Sequence, residues 1–425
     1  MINVLDRHKG VGAVASAYTH IAVFLMGAIA LVVPTGYSLG PALLLLASPV
    51  LLALRPGFDL NRQDKAIIAI LLAYFVVAAS RALVDGQGSS GLDKPSRFLL
   101  AVPVLFWLVA YPPRLSVMWS GIAIGAIASG SWAVWQKLIE GVARAGGYTH
   151  VIQYGDLNML FGVLCLAGLG WAFTQRNARY WVPLLALGAL MGVMGSLMSG
   201  SRGGWVGFPF VLLVLYRGYA RYFARRWLVG LGVLVVAIGV TVYAVPQLGV
   251  QSRVNEAFSN VQQYLEEGNT RTSLGARFAM WHAAVELIPE KLIFGWGDQG
   301  YEQARDRLIA EGRAAPIIKN WGHVHNEYLD AWLKRGVFGL LALLALYLVP
   351  MRLFGKRLSS DDLALKSIAI AGILLPVTYM DFGLSQVFLA HNSGVMVYPF
   401  WLVLLWGLLR HREAHLASGM QPRER

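Results

Sequence analysis

Cysteine is nearly absent: Cys165 is the single one in 425 residues, which rules out an intramolecular disulfide and any cysteine-built metal site. Acidic residues are scarce too. There are 23 Asp and Glu against 36 Lys and Arg, and charged residues make up only 14% of the chain, against roughly a quarter in an ordinary soluble domain. Apolar residues fill the gap at 56%, gathered in repeated runs of about 20, the length that crosses a hydrocarbon core. A water-soluble globular body is therefore excluded, and lipid is the solvent for most of the chain. Cys165 lies within one of these runs and reads as a small packed apolar residue.

The runs predict an all-α polytopic membrane protein of twelve transmembrane spans, at 11–33, 37–54, 66–84, 97–112, 115–137, 157–174, 180–199, 203–217, 227–247, 326–352, 363–385 and 391–410. The second, interrupted by Pro49, and the eighth, short and carrying Pro209, are the least regular. Basic residues gather beside alternate ends: Arg7 and Lys9; Arg55, Arg62 and Lys65; Arg114; Arg176 and Arg179; Arg217, Arg221, Arg225 and Arg226; Arg352, Lys356 and Arg357; Arg410 and Arg412. The positive-inside rule makes that side cytoplasmic, with both termini on it. The net charge of +13 thus belongs to topology and to contact with anionic membrane lipids, and nucleic-acid binding is excluded. Arg7, His8 and Lys9 resemble a signal n-region, but no small-residue cleavage site follows, so the first span is expected to stay as an anchor.

One long polar segment interrupts this pattern. The chain divides into spans one to nine (1–247), a large external loop (248–325), and spans ten to twelve with a tail (326–425). A loop of that length is expected to hold helices of its own. Val254, Phe258, Val261 and Leu265 recur at helical spacing ahead of Gly268, and Leu274, Phe278, Trp281, Val285 and Ile288 do so ahead of Pro289. The apolar stripe of the second helix is expected to pack on the membrane domain or lie in the interface. The run PEKLIFGWGDQGY at 289–301, with Gly295, Gly297 and Gly300 around Trp296, reads as a turn, since its spacing is not that of a nucleotide-binding loop.

Membrane insertion leaves three external polar groups unexplained. Ser199-Gly200-Ser201-Arg202-Gly203-Gly204-Trp205 puts an arginine at the tip of a turn, against the topology signal, with glycines that leave backbone amides open to an anion. Arg277 sits beside the second apolar stripe, where it either snorkels or binds an anion, and nearby Arg271 is an equal candidate. If Arg202 and Arg277 converge, two guanidinium forks match the oxygens of one diphosphate. The third group, Trp321-Gly322-His323-Val324-His325-Asn326-Glu327-Tyr328-Leu329, leads into span ten. No Cys, His or Asp set completes a metal site around His323 and His325. A histidine with an ordinary pKa of about 6.5 is better suited to proton transfer. Arg97 at the start of span four and Asn158 in the run QYGDLNML are weaker candidates, for which topology or packing serves equally well.

A multi-span N-terminal half, an S-x-S-R-G turn, a long external loop with Arg277-x-x-x-Trp281 on a helix, a G-W-G run and H-N-E-Y-L entering a late span together resemble the O-antigen ligase and polymerase superfamily. The likeness runs from about span four to span eleven. It implies a C-type glycosyltransferase fold and transfer of a glycan from undecaprenyl diphosphate on the periplasmic face, with inversion and without metal or other cofactor. It also implies that Arg202 and Arg277 neutralise the diphosphate while His325 activates the acceptor hydroxyl, with His323 and Asn326 flanking it. An external D-x-D motif is lacking, and the adjacent Asp361 and Asp362 fall on the cytoplasmic side. A ligase would take lipid A-core as acceptor, a polymerase a second lipid-linked repeat. One dominant late loop resembles ligases, whereas polymerases often have two. A twelve-helix transporter would show two symmetric halves and midplane binding groups, and this chain shows neither.

Overall fold

Segments in hydrocarbon must satisfy their backbone hydrogen bonds internally, and the apolar runs accordingly form helices. The computed structural model describes residues 4–201, 203–245 and 250–418. Among them are sixteen α-helices and no strand: α1 Val4–Ala28, α2 Gly36–Ala47, α3 Val50–Leu54, α4 Arg62–Val84, α5 Gly88–Ala110, α6 Leu115–Leu138, α7 Val151–Phe173, α8 Ala178–Ser199, α9 Phe208–Tyr219, α10 Arg225–Ala244, α11 Val250–Glu267, α12 Ser273–Leu287, α13 Gly297–Ala310, α14 Glu327–Gly355, α15 Leu363–Ser385 and α16 Asn392–Ala417.

Eight stretches are long and apolar enough to cross a membrane, counting α2 with α3 as one beside α4, α6, α7, α8, α14, α15 and α16. The chain is thus a polytopic, all-helical membrane protein. The expected eighth span differs most from its prediction. Its helix, α9, has 12 residues, roughly 18 Å at 1.5 Å per residue, which falls short of a crossing. Residues 203–207 turn instead of extending it, and Pro209 starts the helix, where its missing N–H has no partner to lose.

Polar side chains fix where several helices begin. Asn61 and Asp64 form a reciprocal capping box at α4, and Thr272, Asn326 and Asp362 cap α12, α14 and α15. Helices α7, α15 and α16 are buried on nearly all sides and form the centre of the bundle. Small residues bring α7 against α8: a Cβ on Gly192 would stand 2.6 Å from the Gly162 Cα.

The loop helices fall where the spacing predicts them, but α12 buries a partly different face. Ala276, Ala279, Met280, Ala283, Ala284 and Leu287 point inward, while Val285 is 60% exposed, as are Phe258 (73%) and Leu265 (75%) on α11. The alanine face allows close approach to α13, the turn at Pro316–Asn320 and the start of α14, and these build a second apolar core apart from that of the membrane helices. Of the larger side chains in the expected stripe, Trp281 and Ile288 still pack on this core, and Val285 faces outward.

Helix α14 is broken at Gly336, whose φ of 64° and ψ of −164° leave the helical region. A side chain there would run into the Ile293 carbonyl oxygen. The G-W-G turn inserts at the break: Trp296 N–H donates to the Leu333 carbonyl at 2.8 Å, and Val337 N–H donates to Leu292 at 3.0 Å. The backbone groups freed by the break are therefore paired with the loop.

Candidate active site

Residues 321–326 join the outer lobe to α14, and two side chains pin them. Trp281 on α12 donates its indole N–H to the Val324 carbonyl at 3.0 Å. Asn326 accepts the N–H groups of Tyr328 and Leu329 at 3.1 and 3.0 Å and donates to the Leu384 carbonyl at 3.4 Å. Between these anchors His325 adopts φ 50°, a left-handed conformation that is costly for a residue with a Cβ. Capping α14 falls to Asn326, so the His325 imidazole is not used as a cap.

That ring meets His323 edge-on, 4.4 Å between centroids, and Trp321 at 6.1 Å. It hydrogen-bonds to the Gln386 side chain, while its Nδ1 has no partner. His391, just before α16, lies 6.1 Å from His323. Burial pushes His325 down to about 3, and His323 and then Arg277 push the same way. Burial likewise lowers His323, and lowers His391 to about 4. All three rings are neutral at pH 7 and hold a nitrogen able to accept a proton.

The other wall comes from the S-x-S-R-G turn. Asp156 on α7 accepts the Ser201 hydroxyl at 2.8 Å and the backbone of Gly204, and Asp381 on α15 accepts the backbone of Gly207. Two carboxylates from the buried centre thus hold the turn on both sides of Arg202. Arg202 itself lies outside the described residues. Arg277 acts electrostatically on both His325 and Asp156, which places its charge between the two walls.

The structure therefore brings together His325, His323, Arg277, Trp281 and Asn326. It sets three other candidates apart. Asn158 accepts the Ser129 hydroxyl at 2.7 Å and donates to the Tyr154 carbonyl at 2.8 Å, so its amide is used in packing α6 on α7. Arg97 is paired with Asp93 at 2.5 Å on α5, and Arg271 is exposed, its backbone N–H held by Asn269. Sequence reasoning missed Asp156, Gln386 and His391. Asp156 did carry a signal, being a carboxylate inside an apolar span two residues before Asn158. Gln386 and His391 carry none, because their meaning is tertiary.

Unpartnered buried polar atoms concentrate here: both amide atoms of Gln153, Oδ2 of Asp156, Oδ1 of Asp381, Nδ1 of His323 and His325, and Nε2 of His391. Buried polar groups normally find partners, so a cluster of unmet ones marks a place shaped for a polar ligand. Among the described residues, no three His, Cys, Asp or Glu side chains come together in a way that could hold a metal ion.

A family model described as O-Antigen ligase matches residues 186–344, which carry the S-x-S-R-G turn, Arg277 and His325. A Haemophilus influenzae protein, named only as uncharacterized, is 32% identical over 371 residues, 87% of this chain and 92% of that one. The chain belongs to the O-antigen ligase superfamily. An Escherichia coli O-antigen ligase is 25% identical over 250 residues, 58% of this chain and 55% of its own length. Membership in this superfamily of membrane glycosyltransferase-like ligases makes the chain an enzyme, and the matched region contains both the neutral histidine and the loop arginine.

Proposed function

We propose that this protein is an O-antigen ligase of the bacterial inner membrane, which joins a glycan carried on undecaprenyl diphosphate to lipid A-core at the periplasmic face. About twelve passes are made in a C-type glycosyltransferase arrangement, α1, α5 and α10 joining the eight longer spans and the short α9 completing a pass together with the turn that precedes it, and both termini are cytoplasmic. His325 takes the proton of the acceptor hydroxyl, and the oxygen attacks the anomeric carbon. The bond from that carbon to the diphosphate oxygen breaks, its electron pair leaving with the phosphate. This single displacement inverts the anomeric centre. Arg277 and Arg202 stabilise the departing diphosphate, doing with fixed guanidinium groups what a divalent cation does elsewhere.

The observation that carries this reading is the neutral His325 imidazole, held in left-handed backbone beside the charge of Arg277. A neutral ring is the form that can accept a proton. Burial is the main cause of its low basicity, and a diphosphate bound next to Arg277 offsets the arginine's smaller contribution and raises it.

Reconstitution tests the reading. Purified protein in liposomes receives a lipid-diphosphate glycan together with lipid A-core or a second glycan-lipid. Glycosylated lipid A-core is the expected product, formed in the presence of a strong chelator and without gain from magnesium or manganese. An elongated lipid-linked glycan as the sole product makes the protein a polymerase, and chelator-sensitive transfer restored by either ion rejects the arginine mechanism.

A further inference from the structure

A second polar space lies next to the histidine cluster. A cavity of about 200 Å³ opens between α4, α5, the start of α13, the first turns of α14 and the turn Val387–Ala390. It shares a wall with the active site: the turn that closes it runs from Gln386, the partner of His325, to His391. Lys94, which lines the cavity, also acts electrostatically on His323 and His391.

The charges around this cavity are unequally matched. Arg81 is held by Asp85 at 2.5 Å and by the Trp296 carbonyl at 3.0 Å. Lys334 is held by Asp298 and by the Gly322 carbonyl, both at 2.7 Å. Arg335, the last residue before the break in α14, lies over the Tyr74 ring and bonds its hydroxyl, with Asp330, Glu327 and Asp298 acting on it from beyond ion-pair contact, and Lys94 has no contact partner among the described residues. Glu327, 1% exposed, accepts the Leu389 N–H at 2.9 Å through Oε2, and its Oε1 has no partner. Tyr74 and Phe98, with ring centroids 4.3 Å apart, add an aromatic wall.

An ammonium without a contact partner, a guanidinium in no direct ion pair, one unmet carboxylate oxygen and an aromatic face describe the complement of a sugar ring that carries an anion. The hydroxyls donate to the carboxylate, the anionic substituent meets the guanidinium and ammonium, and the C–H face of the ring lies on the aromatics. Free metal cations are disfavoured by Lys94 and Arg335. The volume falls below the roughly 300–1,000 Å³ of sites for drug-sized ligands, so one ring fits and an oligosaccharide does not.

We propose that this cavity is the acceptor subsite, in which Lys94 and Arg335 bind a phosphate or carboxylate on the acceptor sugar and Glu327 binds a hydroxyl of the same ring, presenting another hydroxyl to His325. The proposal rests on the ligase reading above. It divides the site into a donor side, with Arg277, and an acceptor side across the Gln386–His391 turn.

The test measures KM separately for donor and acceptor in the reconstituted enzyme, wild type against Lys94→Gln, Arg335→Gln and Glu327→Gln. Three acceptors are compared: intact lipid A-core, lipid A-core stripped of phosphate, and lipid A-core with its carboxylates converted to amides. Each cation variant is expected to raise the acceptor KM about tenfold or more, the worth of a lost hydrogen bond to a charged group, and to leave the donor KM within about twofold. Removing the recognised anion is expected to raise the wild-type acceptor KM similarly and to add nothing in Lys94→Gln, which tells phosphate from carboxylate. Lys94 is on the exposed surface of α5, so its variant reports even where Arg335→Gln does not fold. An unchanged acceptor KM in Lys94→Gln, or equal rises for donor and acceptor, overturns the subsite while leaving the ligase reading intact. Failure of the wild type to glycosylate lipid A-core at all overturns both.

Discussion

Both ends of the helix bundle are rich in charge and carry ion pairs, but they differ in what is left over: at the end bearing the basic clusters the orphaned polar atoms are scattered, as at Gln63 and Trp171, while at the opposite end they gather around the histidines. At the basic end Asp362 caps α15 and accepts two bonds from Arg412, at 3.0 and 2.6 Å. Asp64 accepts Arg410 at 3.0 Å and the Trp406 indole at 2.8 Å, tying α4 to α16, and Arg357 meets Glu413 at 2.7 Å. At the opposite end, Gln153, Asp156, His323, His325 and His391 bury polar atoms without partners, and Arg335 and Lys94 stand without carboxylates in contact. Burying a polar group unmet costs roughly 1–3 kcal/mol. Scattered orphans are single local costs, whereas a cluster of them around one loop marks where a ligand completes the bonding.

The largest expected effect is at His325. His325→Asn, chosen because asparagine tolerates left-handed backbone, is expected to lower transfer by about 10²- to 10⁴-fold, the usual contribution of a general base. Its thermal unfolding should match the wild type. A variant that transfers normally removes the general-base role and leaves His325 as a piece of loop architecture.

Next come the arginines. Arg277→Lys and Arg202→Lys keep the charge and lose the planar fork, and each is expected to cost about tenfold or more in kcat/KM. Full activity in both reduces the donor side to general positive charge.

At the basic end the expectation is reversed. Asp362→Ala removes a helix cap and half of an ion pair, which is expected to lower stability by about 1–3 kcal/mol and to leave transfer per folded molecule unchanged. Thermal melts together with activity normalised to folded protein check this. A loss of normalised activity would mean that the two ends are coupled.

The smallest effect is expected from mild acid. For kcat/KM the relevant histidine is that of the unliganded enzyme. Because burial holds His325 near 3, lowering the pH from about 7 to about 5 leaves the ring neutral and kcat/KM flat. An acid limb at about 6.5 would show that the ring is solvated in the working enzyme. Stability follows the same groups with a definite sign. The unfolded chain takes up protons first, below about 6.5, so the folded state keeps its full stability above that pH. It loses stability as the pH falls toward the folded values of about 3 for His325 and about 4 for His391.

Much of this was legible in the sequence where the cause is local. Gly268 closes α11, and the apolar runs form the eight long spans. The H-N-E-Y-L entry begins α14 with Asn326 as its cap, and the arginine of R-x-x-x-W lies on a loop helix facing His325. The G-W-G run was readable as a turn, but not as the piece that fills a break in a membrane helix, because Gly336 lies about forty residues later and only packing brings them together. The apolar stripe of α12 misled in part, at Val285 though not at Trp281 or Ile288, for a related reason. Hydrophobic periodicity ranks faces by size and apolarity, whereas the partner elements selected the alanine face, which permits the closest approach.

By itself the sequence determined the solvent, the helices, their order and the residue types available at the outer end, since each follows from composition and short-range spacing. The tertiary structure alone decided which of those residues meet. Gln386 reaches His325, His391 completes the ring cluster, Asp156 and Asp381 hold the turn around Arg202, and Lys94 and Arg335 face one cavity. The reason is physical: a helix fixes contacts three and four residues apart, while contacts across tens or hundreds of residues depend on how the helices pack, and packing is decided by all of their faces at once.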